Sequence, residues 1–578
     1  MRGNLVRALL LPAALLALAL ALGACGSDDK KSSGGEGGTK GGKLTVLNQG
    51  DFEHADPGAA YYQFDFMIDY AVHRPLYSYK PDETVKTPDL AEGEPEISAD
   101  KKTVTVHIKK GIKFSPPVNR EVTSKDVKYA IERSYSANVP NGYVGTYMPI
   151  VGIPDKPTPG VKPVSGITTP DDQTIVFKLS VATGAFFAEA LVLPASAPVP
   201  EDYAAKFDKE NPSTYGEHQV ATGPYMIEND KSGKAIGWVP DRGIHLVRNP
   251  NWDKSTDYRP AYLNEIQVEE GNEDTAAATR KVFTGSHLVT GDITPPGATL
   301  KDATTIYKDQ FQDPFSGGWR AVMLNTTKKP FDDINVRKAA IAGIDKTVLR
   351  QARGGETIGD IAYHFLPANF PGFEESGGAT TDQDFMSKPT ADKALVTKYF
   401  DAAGMKGGKY SGPNADITLT CDNVDPGKAV CAATADMLRG MGFKPAIQAV
   451  PHEKMLLICG IPSKQPEVCP NVGWFKDFYD PQTMLDPTFK GSNILPENNA
   501  NWPNLNVPAI DDAMDKASLL TDQAARAKAW AEINKQIVAQ APGSPYVWDK
   551  QPNAESKDVA GVINDYNSVW DLSHTALK

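Results

Sequence analysis

Cysteines, histidines and carboxylates are the side chains here that could do chemistry, and their spacing sorts the options. Four of the five cysteines form two local pairs of equal spacing, Cys421/Cys431 and Cys459/Cys469. An even number in an oxidising compartment reads as disulfides. Three pairings are possible, and 421–431 with 459–469 is favoured because each closes a short turn-bearing loop. One loop holds Asp425-Pro426-Gly427, the other Pro462 and Pro466. Each bond would contribute roughly 2–3 kcal/mol in the chain-entropy view. A four-cysteine zinc site is the rival, but such sites usually show tight CxxC spacing.

Catalytic signatures are thin. No GxSxG is present, and His452-Glu453 lacks the second histidine that an HExxH zinc site needs. The nine histidines are dispersed, which argues against a metal site. Gly37, Gly42 and Lys43 imitate part of a phosphate-binding loop, yet Leu44 replaces the magnesium-binding hydroxyl and no strand precedes it. No enzyme activity, cofactor or resident metal is expected.

The bulk numbers set the frame. A chain of 578 residues can bury several cores and suggests three or four domains. With 40% hydrophobic and 23% charged residues it should fold throughout most of its length. The net charge of −12 is spread out rather than gathered in a block, and the clustered basic surface that phosphate backbones require is missing. No nucleic-acid partner is expected.

Arg2 and Arg7 precede an apolar run from Ala8 to Leu22, short of the ~20 residues a membrane span needs but suited to a signal peptide over 1–24. The run ends in Leu22-Gly23-Ala24-Cys25, which resembles the lipobox of bacterial lipoproteins. That resemblance implies a lipid on Cys25, membrane attachment through the lipid alone, and a place on the outer face of a Gram-positive membrane. Residues 25–43 are rich in Gly, Ser and Lys and read as a flexible leash.

From Leu44 onward the pattern is mixed α/β, without a fixed repeat. Lys102 to Lys109 alternates like a half-buried strand, turns at Lys110-Gly111 and predicts a hairpin with Ile112–Phe114. Thr123 or Ser124 opens a helix whose inner face is Val127, Ala130, Ile131 and Ser134. Further helices are predicted from Asp332-Asp333, after a strand Ala321–Asn325, and over 391–403, 511–519 and 522–539. A strand over 542–548 returns to an earlier sheet.

Four blocks in this order are similar to the family 5 extracellular solute-binding proteins of dipeptide, oligopeptide and nickel ABC importers. The first runs from Pro88 to Arg133 and includes Ser98–Phe114 and Thr123–Val127; Ser115-Pro116-Pro117 stands where the family usually has His-Asp-Gly. The second is Ala221–Tyr225 with Leu246–Trp252. The third is Leu324–Thr326, Pro330–Asp333, Val336-Arg337 and Ala342–Lys346. The fourth is Val472–Pro481, which resembles the family's Trp-x-x-Asp-x-x-Asp-Pro segment.

The resemblance implies a two-lobed periplasmic-binding-protein-like fold, type II, cluster C, with an extra domain in the first lobe. It places domain I near 44–78, 214–318 and 540–578, domain II near 79–213 and domain III near 319–539. The partners implied are a peptide ligand and the permease subunits of an ABC importer, with the protein a monomer. A metal chelate or other small solute, or a peptide-sensing receptor role, is the alternative.

Within the fourth block the resemblance makes Asp477 the anchor for a peptide's α-amine. Gly473, Trp474 and Phe475 would pair with the peptide backbone like an added strand. Asp480 is the better fit for capping the Asp-Pro bend, and Trp474 fits core as well as cleft. Tyr61, Tyr62, Phe64 and Phe66 form an aromatic cluster that reads first as packing. Arg320, Arg350, Arg353 and Lys454 are all suitable for a ligand carboxylate, and the sequence does not choose among them.

Overall fold

Alternating side chains and capped helices sort the chain into three main sheets. The computed structural model describes residues 39–578 apart from 51, 53, 61, 140, 142–146, 155 and 294. The expected signal segment, Cys25 and the leash up to residue 38 lie outside the described residues, as does Tyr61.

The first sheet has the order Leu288–Thr290, Lys43–Leu47, Glu265–Glu269, Gly243–Arg248, Tyr225–Ile227, with Trp238–Val239 added beside Gly243–Arg248. Lys43–Leu47 runs parallel to both of its neighbours. The second sheet is a four-stranded antiparallel one in the order Glu96–Ile97, Thr103–His107, Thr174–Lys178, Ile167–Asp171.

Thr103–His107 buries Val104 and Val106 on one face, as its period of two requires. The helix Ser124–Arg133 covers that face with Val127 and Ile131. Its start is fixed by the Asp126 carboxylate, which reaches back to accept the Thr123 amide N–H at 2.8 Å.

The expected hairpin between 102–109 and Ile112–Phe114 is not formed. Both edges of Thr103–His107 are taken by Glu96–Ile97 and Thr174–Lys178. Ile112–Phe114 pairs forward instead: the Phe114 amide donates to Arg120 O at 3.1 Å and the Val122 amide to Ile112 O at 2.8 Å. The physical reason is burial, since this arrangement sinks both Ile112 and Phe114 into the core of the second sheet.

The third sheet has the order Gly359–Asp360, Gly543–Lys550, Phe315–Leu324, Val468–Phe475, Asp416–Asp422, Lys444–Val450. Helices Ile334–Ala342, Lys393–Ala402, Pro508–Ser518 and Gln523–Ala539 lie where the sequence pattern put them. Asp333, Asp392 and Asp522 cap three of them through side-chain oxygens. Gly543–Lys550 pairs along Phe315–Leu324 although it falls within 540–578, the segment expected in domain I. Its inward side chains Tyr546 and Trp548 are fully buried in the largest core cluster, which holds it in this sheet.

Disulfides Cys421–Cys431 and Cys459–Cys469 close the two local loops. The first ties Asp416–Asp422 to the helix Gly427–Gly440, and the second ties the helix His452–Cys459 to Val468–Phe475.

Two buried ionic clusters stitch distant segments together. Arg133 spans Asp56, at 2.6 and 2.8 Å, and Asp208, at 2.5 and 2.9 Å, with the Tyr129 hydroxyl also donating to Asp208. Arg74 and Arg259 interleave with Asp89 and Asp257, and the paired arginines hold Asp257 well below the usual carboxylate range. A buried charge stripped of its partner costs ~3–5 kcal/mol. Arg133→Met is therefore expected to lower unfolding free energy by about that much, measured by urea denaturation; a loss under ~1 kcal/mol would refute the clamp.

Candidate functional site

The strand Val468–Phe475 carries three of the four expected site residues, and its neighbour decides which way each points. It pairs antiparallel with Phe315–Leu324 in the register Gly318↔Phe475, Trp319↔Trp474, Arg320↔Gly473. Cross-strand partners share a face. Trp319 and Trp474 turn to the core: Trp319 is fully buried, and Trp474 donates its indole N–H to Thr483 O at 2.7 Å and meets Trp502 edge-on.

Arg320, Gly473 and Phe475 turn the other way. A Cβ on residue 473 would stand 2.5 Å from Arg320 Cδ, so glycine makes room for the arginine. The guanidinium lies 5.0 Å from the centre of the Phe475 ring, a cation–π distance. On the far edge of this strand only Leu419↔Val468 is paired, so 469–475 has no strand partner there among the described residues.

Asp477 follows two residues beyond the strand and is 7% exposed. The Tyr147 hydroxyl donates to its Oδ2, and the Tyr566 hydroxyl donates to its backbone oxygen. Phe478 packs beside it against Tyr147 and Phe186, each at 5.2 Å between ring centres. Among the described residues no cation pairs with the carboxylate. Burial pushes it up to about 7, and the Tyr147 hydrogen bond opposes that shift only in part.

The neighbouring charges are spoken for. Lys476 turns away to donate to Ser316 O at 2.8 Å, and burial pushes it down to about 7. Asp480 caps the helix Pro481–Phe489 by accepting from the Gln482 amide, and it pairs with Arg526. Capping is the role its place in the Asp-Pro bend suggested.

Of the four basic candidates the structure brings two together. Arg320 Nε lies 2.7 Å and Arg353 Nε 3.3 Å from Asp549. Arg350 pairs with Glu356 at 3.3 Å, and Lys454 is exposed. Arg320, Arg353 and Phe475 line a cavity of about 200 Å³ together with Gln63, Phe64 and Asp292. Phe64 of the aromatic cluster thus faces this cavity, Tyr62 is 48% exposed and Phe66 packs into the core.

Tyr147, Tyr566, Asp292 and Asp549 were not singled out from the sequence. Each hydrogen-bonds to a residue 89 to 330 positions away in the chain. No local spacing announces such contacts.

This arrangement, sheets on either side of a polar cavity, is the two-lobed periplasmic-binding-protein-like fold. The structure aligns over 93% of this chain and 96% of a clavulanic acid biosynthesis oligopeptide binding protein 2, with TM-score 0.80 and 24% identity. It also aligns over 93% of this chain and 98% of the DppA periplasmic binding protein from Helicobacter pylori in complex with peptide STSA, with TM-score 0.73 and 22% identity.

The sequence pattern of the bacterial extracellular solute-binding proteins, family 5, matches residues 86–495, and the chain belongs to that family. Among curated relatives it is 25% identical to heme-binding protein A of Haemophilus influenzae, over 82% of this chain and 81% of that one. It is 23% identical to the oligopeptide-binding protein OppA of Bacillus subtilis, over 82% and 83%. No helix among the described residues is long and apolar enough to cross a membrane.

The raised Asp477 carboxyl makes a signed prediction. Its folded value lies above the unfolded one, so its stabilising contribution is complete below about pH 4 and is lost as pH rises to about 7. Asp477→Asn, which stays neutral, should be more stable than the parent above pH 7 by on the order of 2–4 kcal/mol when unliganded, with the gap closing near pH 4. Thermal unfolding across that range checks it, and a constant gap would count against a buried, perturbed carboxyl.

Proposed function

We propose that this protein captures peptides outside the cell and passes them to the permease subunits of an ABC importer, without catalysing a reaction. The observation that carries the reading is Asp477, a buried carboxylate with no cationic partner among the described residues, following a strand edge left unpaired. A peptide brings the two things such a site lacks: an ammonium and a run of backbone N–H and C=O groups. Gly473, Trp474 and Phe475 would supply the backbone ladder, with the Trp474 ring acting from the core side.

We take the first two sheets as one lobe and the third as the other, closing on the cavity between them. The oligopeptide- and dipeptide-binding relatives support the peptide reading, and the nonapeptide complex of AppA from Bacillus subtilis, whose fold this chain shares, fits it too.

Removing the counter-charge from a desolvated ammonium costs ~2–5 kcal/mol. Asp477→Asn should weaken peptide binding by about that amount in isothermal titration calorimetry at pH 8; unchanged affinity sinks the anchor assignment. The same titration with haem separates this reading from that of the Haemophilus relative.

The lipobox-like Leu22–Cys25 supports a lipid anchor at Cys25 on the outer face of a Gram-positive membrane, with the protein acting as a monomer. Cys25→Ser should move the protein from the membrane fraction to the medium on fractionation. Retention in the membrane would refute the tether.

A further inference from the structure

A second and larger cavity, of about 780 Å³, shares no lining residue with the one beside Phe475. The second sheet supplies one part of its lining, including His107, Lys109 and Lys110, with Glu92 beside them. The connection between Gly243–Arg248 and Glu265–Glu269 of the first sheet supplies the rest, including Thr256 and Asp257.

The charges around this cavity do not cancel. Asp257 is held by Arg259 at 3.0 Å, with Arg74 at 3.7 Å, and the same two arginines also take Asp89. Two guanidiniums and two carboxylates balance there. His107 faces its own carboxylate, Glu96, at 3.7 Å. That leaves Glu92 alone to answer both Lys109 and Lys110. The Lys109 ammonium donates to the backbone oxygen of Asp89 at 2.7 Å rather than to a carboxylate, and the exposed Lys110 makes no ion pair among the described residues. Partial burial, with Arg74 close by, holds the Lys109 ammonium below the ordinary lysine value, so an arriving anion restores stabilisation that desolvation removed.

Backbone and side-chain bonds set the lining in place beforehand. The Glu92 amide donates to His107 O at 2.8 Å and the Lys109 amide to Leu90 O at 2.9 Å. On the first-sheet side, Arg74 donates to the Thr256 hydroxyl at 2.9 Å and to its backbone oxygen at 2.7 Å. Little ordering remains to be done when a ligand enters.

The kind of donor narrows the kind of anion. Planar guanidinium forks match carboxylates, whereas an ammonium is a compact point charge that suits a tetrahedral oxyanion approached from any side. Here the arginines are spent on aspartates and the surplus charge belongs to lysines. Cavities that hold small molecules run from about 300 to 1,000 Å³, so this one has room for an organic group beside the anion.

We infer that this cavity is a second ligand site, separate from the peptide cleft, which takes the phosphate ester of a small organic molecule, with Lys109 and Lys110 gripping the phosphate.

The test titrates the full-length protein, stripped of co-purifying ligand, with glycerol 3-phosphate in a calorimeter at about 0.15 M salt, where screening suppresses loose surface attraction. Saturable one-to-one binding is expected. Inorganic phosphate, which leaves most of the cavity empty, should bind at least fivefold more weakly, and acetate at least tenfold more weakly. Lys110→Glu, at an exposed position that the fold tolerates, should weaken glycerol 3-phosphate binding at least tenfold while leaving peptide affinity unchanged, and Lys109→Gln should do the same.

The comparison of the three anions on the unaltered protein decides the matter even if Lys109→Gln misfolds. Acetate or inorganic phosphate binding as tightly as the ester, no saturable heat with the ester, or ester binding that Lys110→Glu leaves unchanged overturns the site. Displacement of a bound peptide by glycerol 3-phosphate would put the ester in the cleft and overturn it as well.

Discussion

One register, that between Phe315–Leu324 and Val468–Phe475, sorts the side chains that this strand pair brings to the site. Because side chains alternate, pairing Arg320 with Gly473 and Trp319 with Trp474 sends two indoles into the core and one guanidinium into the cavity. A slip of one residue would exchange them, burying a charge among the aromatics and exposing the rings. The tryptophans oppose that slip by what they bury: Trp319 stacks on Phe489 and meets Phe365 and Trp502 edge-on, and Trp474 spends its indole N–H on Thr483. The hydrophobic face of the sheet thus sets the polar face.

Asp477 sits where this sheet meets the rest of the protein. Tyr147 comes from beside the second sheet and Tyr566 from the C-terminal segment. Tyr566 in turn packs on Tyr79, with ring centres 4.6 Å apart, and Tyr79 meets Tyr479 at 5.4 Å. The hydroxyls let aromatic bulk surround a carboxylate without leaving it bare, since a buried acceptor without a donor is costly. Arg133 and the Arg74–Arg259 pair do comparable work deeper in the fold, where each guanidinium joins segments far apart in sequence.

Much of this could be read from residue order. Thr123 and Asp126 announce a helix start, Val104 and Val106 a strand, and equal cysteine spacing two loops, because each signal is local chemistry repeated within a few residues. The segment Val472–Pro481 could be recognised for the same reason. The hairpin predicted at 102–114 does not form because the strand Thr174–Lys178, some seventy residues on, claims the edge that the local turn would have used. The same limit hid the Arg320–Asp549–Arg353 group. Four basic residues looked alike until the fold gave two of them a common carboxylate, and nothing within ten residues of Asp549 marks it as their partner.

The third sheet also has a temporal consequence. Phe315–Leu324 is flanked on one side by Val468–Phe475 and on the other by Gly543–Lys550, so its central strand waits on partners made roughly 150 and 230 residues later. Until the ribosome has released nearly the whole chain, this lobe has no finished centre. Completion of its core therefore rests on pairing between distant segments rather than on neighbours in the chain.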